Sequence, residues 1–269
     1  MGVSSSLPHP HTPIPAHSYT MSLLPQFLAF ALTLALMMVL SRWINRQVQV
    51  IGLRLSGDMN VAVMVYYLLM FPGIVLHELS HYLMARLLRM QVGSFALGPK
   101  KRRNAIELGS VTVASGGTLR DSLVGLAPFL TGTAVLLLIS YYVFDVAALG
   151  EAWRTAGWAG VLAGLNGIWR VADFWLWAYV IFVVSNSMTP SEADRQPWVL
   201  AGIYLGIALL VVWLFGGFAA LSGAFLDEVT GALQVLTLGF LFTLAVNAVI
   251  AAFLWLTELV VIGAQGSQN

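Results

Sequence analysis

Along the chain, long apolar stretches alternate with short polar breaks, and each stretch outlasts the usual surface helix or strand. A hydrocarbon core about 30 Å thick takes roughly 20 apolar residues in helical form. Runs of this kind lie at Ser22–Ser41, Val61–Leu88, Leu123–Leu149, Phe174–Met188, Trp198–Ser222 and Val229–Gly263. The pattern predicts an all-α polytopic membrane protein with about six transmembrane helices. The fourth run is short by this measure. The weakly amphipathic, glycine-containing piece before it, Glu151 to Arg170, reads as an interfacial helix or a re-entrant segment feeding that span.

Between the second and third runs the period changes. "VGSFALGPKKRRNAIELGSVTVASGG" holds two short alternating stretches around a Gly-Pro and basic turn, which predicts a small membrane-associated β-hairpin. Such a hairpin offers a strand edge that an extended peptide can join. Residues 1–20 are rich in Pro, Ser and His and lack the basic region of a secretory signal, so they read as a disordered tail. His9, His11 and His17 are then solvated. No repeat or composition shift divides residues 21–265, which are expected to form one integral membrane domain.

Composition agrees with this outline: 59% of the 269 residues are hydrophobic and 9% charged, with a mean hydropathy of +0.84. The partner expected from this is the lipid bilayer. A net charge of +1 gives no basic field for nucleic acid. The chain has no cysteine, so disulfides, thiolate metal sites and cysteine nucleophiles are excluded. Basic residues gather after the second run, at Arg86, Arg89, Lys100, Lys101, Arg102, Arg103 and Arg120, against Arg42, Arg46 and Arg54 before it. Lys and Arg near span ends stay cytoplasmic, so both termini and the inner end of the second span are expected on the cytoplasmic side.

Inside the second run stands "GIVLHELSHYLMARLL". His77 and His81 are four residues apart and stack on one helix face, where they can share a metal ion. Glu78 between them can reach a water on that ion, as in the H-E-x-x-H pattern of zinc hydrolases. Three ionisable groups in an apolar span are costly, and persist where they have partners or a function. A catalytic zinc normally has three protein ligands and one open position. With no further histidine outside the tail, the third ligand is a carboxylate or a weaker oxygen donor. Most acidic residues lie at span ends or in loops, and Glu258 in the last span reads as a member of a buried pair or, less readily, as a residue on a substrate path. Glu192 and Asp194 remain, in "FVVSNSMTPSEADRQPW", where a proline and small polar residues end the fourth run. In the plainer reading of this piece, Ser191 or Asp194 caps a helix starting near Pro197, the fifth run.

Taken together, these residues resemble the site-2 protease family of intramembrane zinc metalloproteases. "HELSHYLMA" is similar to that family's H-E-x-x-H-x-x-x-A, ending at Ala85. "NSMTPSEAD" is similar to its second metal motif, with Asn186, Pro190 and Asp194 at the matching positions. "VGSFALGPKK", the paired glycines Gly116 and Gly117, and "GLAPFLTGTAVLLL" are weaker echoes. The likeness spans roughly Gly73 to Trp198. It departs where Arg195 replaces a glycine, where threonines near Thr131 and Thr133 stand for an asparagine, and where no peptide-binding insert follows the third run.

The resemblance implies a metalloprotease domain over residues 21–265, with one Zn2+ held by His77, His81 and Asp194 and with Glu78 as the general base. It also implies a membrane-spanning protein as substrate. Asn186 is then expected to donate a hydrogen bond to the substrate backbone or the developing oxyanion, with Ser80 and Tyr82 as nearby alternatives. Gly216 and Gly217 in the fifth run would mark a bend for lateral access. Two other functions fit the same residues: a non-catalytic chaperone or regulator that keeps the fold, and a metal or proton transporter that uses the His-Glu-His group.

Overall fold

The structure, a computed structural model, describes residues 23–101, 106–214 and 223–266. The N-terminal tail with its three histidines, the hairpin turn at 102–105, and Gly216 with Gly217 lie outside the described residues. The chain is mostly helical with one small antiparallel sheet. Its elements are α1 (Leu23–Ser56), α2 (Met59–Leu87), β1 (Val92–Lys101), β2 (Ile106–Val113), α3 (Thr118–Leu138), α4 (Val146–Ile168), α5 (Phe174–Ser187), α6 (Glu192–Arg195), α7 (Trp198–Leu214) and α8 (Gly223–Gly266).

Five stretches are helical, long and apolar enough to cross a bilayer: α1, α2, α3 with the wider helical turn at Ile139–Val143, α6 with α7, and α8. The fourth expected span is α5, only 14 residues long, or about 21 Å at 1.5 Å per residue. Large apolar side chains stand exposed around the whole molecule, among them Leu32, Leu68, Val199 and Val260. A water-soluble domain rarely bears such a surface, whereas lipid covers it without cost. This is the outer surface expected of an integral membrane protein.

The segment expected to be interfacial or re-entrant is α4, and it is broken in its middle. Gly157 takes φ 57° and ψ −139°, which a residue with a Cβ rarely adopts. The two arms fold back so closely that a Cβ on Gly160 would lie 2.3 Å from Ala152 O. Each arm is about 16 Å long, half of what a crossing needs. The predicted hairpin is present, β1 pairing antiparallel with β2 from Val92 opposite Val113 to Lys101 opposite Ile106, with two register shifts.

Glycines and prolines decide how the helices meet. α2 and α5 run in the same direction, and Gly73 lets them touch: a Cβ there would be 2.3 Å from Ser187 Oγ and 2.4 Å from Val183 O. Met70, Ile74, Ile181 and Val183 fill the core between α2 and α5. α1 and α8 lie side by side, also in the same direction. Phe30 stacks on Phe240 at 5.9 Å, and further along Glu258 accepts from Gln47 and pairs with Arg54 at 3.3 Å. Glu258 is therefore a pair member joining two helices, as its position in the last run suggested.

Candidate metal centre

The expected helical stacking of His77 and His81 is present on α2. Their rings sit 4.9 Å apart at 78°, with the two Nε2 atoms 3.2 Å from each other. Each ring is held from behind by a backbone carbonyl. His77 Nδ1 lies 2.7 Å from Ser187 O at the end of α5, and His81 Nδ1 lies 2.8 Å from Val124 O in α3. A carbonyl can only accept, so each neutral ring carries its hydrogen on Nδ1. Both Nε2 lone pairs then face one another with no hydrogen between them.

Val124 O is free to serve because of the sequence four residues on. In a regular helix it would accept from residue 128, but Pro128 has no N–H. The His81 imidazole supplies the missing donor. Ser187 O is free for a related reason: the last carbonyls of a helix have no partner within it. Both second-layer acceptors are thus helix carbonyls left over by chain chemistry, and they orient the rings as metal-bound histidines are commonly oriented.

Asp194 completes the group. It sits in the short turn α6, whose N-cap is Ser191. The Ser191 hydroxyl accepts from Asp194 N at 3.2 Å, and Asp194 Oδ2 accepts from Ser191 N at 2.8 Å. Ser191 is thus a cap, but of the short turn starting at Glu192 and not of a helix starting near Pro197. The same carboxylate also faces the histidines, with Oδ1 3.2 Å from His81 Nε2 and Oδ2 3.6 Å from His77 Nε2. Gly125 of α3 lets the turn settle this close, since a Cβ there would be 2.2 Å from Asp194 O. Arg195, at the position of an expected glycine, continues the helical turn without left-handed backbone. Its Nε donates to Ser191 O at 3.2 Å.

Among the described residues, His77, His81 and Asp194 are the one set of three that could hold a metal ion. Glu192, the other carboxylate the sequence left open, is exposed and outside the group. The donor set fits a divalent cation on chemical grounds: three lone-pair donors converge, and the ring hydrogens are directed elsewhere. The separations of 3.2, 3.2 and 3.6 Å bracket the edge of a zinc tetrahedron, about 3.3 Å for bonds of about 2.0 Å.

Glu78 is buried on the hairpin side of α2. Gly109 of β2 covers it, and a Cβ at Gly109 would lie 2.6 Å from Glu78 Cγ and 2.9 Å from its Oε1. Tyr82 meets Phe95 of β1 edge-on at 6.0 Å, and Ser80 Oγ donates to His77 O within its own helix. Asn186 is engaged inside the protein. Its Nδ2 donates to Phe182 O at 2.7 Å and to Asn247 Oδ1 at 2.9 Å, so donating to a substrate would mean giving those bonds up. Sequence reasoning missed Val124, Asn45 and Asn247. Pro128 was the available signal for Val124, because a proline inside a helix frees the carbonyl four residues before it. Comparison of the chain with protein-family models, with curated proteins and with solved structures found no match.

Proposed function

We propose that this chain is a zinc-dependent intramembrane endopeptidase of the site-2 protease type, which hydrolyses peptide bonds in membrane-spanning substrates. One observation carries the reading. Two imidazoles with their N–H groups turned away, and one capped carboxylate, aim their lone pairs at a common point beside a buried glutamate in an apolar helix. His77, His81 and Asp194 would hold the ion, which when bound supplies Lewis-acid activation of a water and of the scissile carbonyl. Glu78 takes the proton that water gives up and hands it to the departing amine nitrogen. Ser187 O and Val124 O keep both imidazoles in the tautomer that binds metal. The β-hairpin over Glu78 excludes bulk water from that side and offers strand edges to an unwound substrate. Asn186 is assigned to holding the end of α5 rather than to the substrate.

In the bilayer the metal-bearing end of α2 faces the cytoplasm in this reading, following the basic residues between α2 and α3. The purified chain should contain about one zinc. Glu78→Gln should keep that zinc while cleavage of a reconstituted single-span substrate falls by roughly 10²–10⁴-fold. Cleavage undiminished in Glu78→Gln would remove the proposed base and the mechanism with it. Metal retained with no cleavage by the native chain would favour the chaperone or regulator reading, and zinc flux into proteoliposomes without proteolysis would favour transport.

A further inference from the structure

Behind the metal centre, three helices meet through amides. Asn186 near the end of α5 reaches Asn247 of α8, whose Nδ2 in turn donates to Ser185 Oγ at 2.8 Å. From α1, Asn45 Nδ2 donates to Asn186 O at 3.2 Å. That carbonyl is available because α5 ends at Ser187, and the last carbonyls of a helix have no partner within it. Asn186, Asn247 and Ser185 are all buried. The direction of each bond follows from the chemistry: Phe182 O can only accept, so Asn186 presents Nδ2, and Asn247 must answer with Oδ1.

We infer that Asn247 is a positioning residue for the metal centre, acting through Asn186 to hold the carbonyl end of α5 where Ser187 O orients His77. Ser187 directly follows the clamped residue, and its carbonyl is the one hydrogen-bond partner that fixes His77 Nδ1. A helix that ends without caps frays. Here the last carbonyls are held by side chains from α1 and α2, and the amide of residue 186 by α8. The three attachments restrain the same turn from three sides. They also aim the negative end of the α5 dipole at the ligand group, which favours a bound cation.

The inference rests on the metal-site reading above. Zn2+ and Co2+ binding would be measured on the full chain in detergent, by chelator competition and by the Co2+ absorption bands. Asn247→Leu removes both amide bonds while keeping the branching of the side chain, and is expected to weaken Zn2+ binding on the order of tenfold, as outer-layer changes do, and to alter the Co2+ spectrum. Asn247→Asp keeps the acceptor for Asn186 Nδ2 and should recover most of the affinity. Asn45→Leu, which cuts the tie from α1, should weaken binding in the same sense and serves if Asn247→Leu does not fold. Thr243→Val is the control: Thr243 is buried on α8 but bonds only to Gly239 O of its own helix, so binding should not change.

Native affinity and an unchanged Co2+ spectrum in both folded leucine variants would overturn the positioning role while leaving the metal site standing. An equal loss in Thr243→Val would do the same, since it would trace the effect to packing. A native chain that binds neither ion would overturn the metal site, and the positioning role with it.

Discussion

Gly125→Ala isolates the contact that seats Asp194, the third ligand in the proposed site. The residue lies on α3, where alanine is the better helix former by roughly 1 kcal/mol, so the helix itself should not suffer. The added Cβ would stand 2.2 Å from Asp194 O, 3.0 Å from its carbonyl carbon and 3.3 Å from its Cα. A carbon and a carbonyl oxygen rest at about 3.3–3.6 Å even in close contact, so the Asp194 backbone must withdraw by about 1 Å. Ligand atoms tolerate only about 0.2 Å of misplacement around a metal. The carboxylate is fixed to that backbone through the Ser191 cap, which leaves it little freedom to compensate. Zinc affinity should fall at least tenfold, as for loss of an outer-layer partner, and peptide cleavage by about 10²-fold, the cost of a 1 Å displacement. Chelator competition would measure the first and single-span substrate cleavage the second. Gly206→Ala on α7 serves as control, because nothing lies within 4 Å of the new methyl group. Native zinc affinity in a folded Gly125→Ala chain would refute the claim that this approach sets the position of Asp194.

Ser191→Ala removes the hydroxyl that accepts from Asp194 N but keeps the backbone bond to the carboxylate. A lost N-cap costs about 1 kcal/mol, so zinc titration should find affinity lowered by about fivefold. Gly109→Ala pushes on Glu78 rather than on a ligand, so metal content should stay native while cleavage falls between about 10- and 100-fold; loss of the metal would contradict this division of roles. Glu258→Gln keeps a partner for Gln47 but takes the charge from Arg54, whose side chain is 35% exposed. A partly exposed pair contributes about 1 kcal/mol or less, so thermal unfolding should shift by no more than about 2–4 °C, with metal binding untouched.

The local parts of this site were legible in the sequence because they follow from helical spacing and chain chemistry. The four-residue spacing of His77 and His81 fixes their stacking on α2 whatever surrounds them. The alternation around the Gly-Pro turn foretold the hairpin, and glycines in the stretch before α5 foretold a segment that does not cross. The resemblance pointed to Asp194 over Glu192, but the physical reason needed the turn itself, since the Ser191 cap directs one carboxylate toward α2 and leaves the other exposed. The internal bonds of Asn186 were hidden for a similar reason. Its partner Asn247 is 61 residues away, and nothing in an apolar run announces which of its few polar residues will meet another helix. The pairing of α1 with α8 was equally invisible, because Gln47 and Glu258 are 211 residues apart and neither one names the helix it will meet.

Prolines are usually counted against a helix, yet here Pro128 leaves an acceptor that holds the His81 ring. Regularity and ligand control are therefore in opposition along α3. Restoring an N–H at position 128 would give Val124 O a partner within its own helix and set it in competition with His81. Such a change should make α3 straighter and the imidazole less firmly oriented, so selection or design for thermal stability alone would tend to erode this centre.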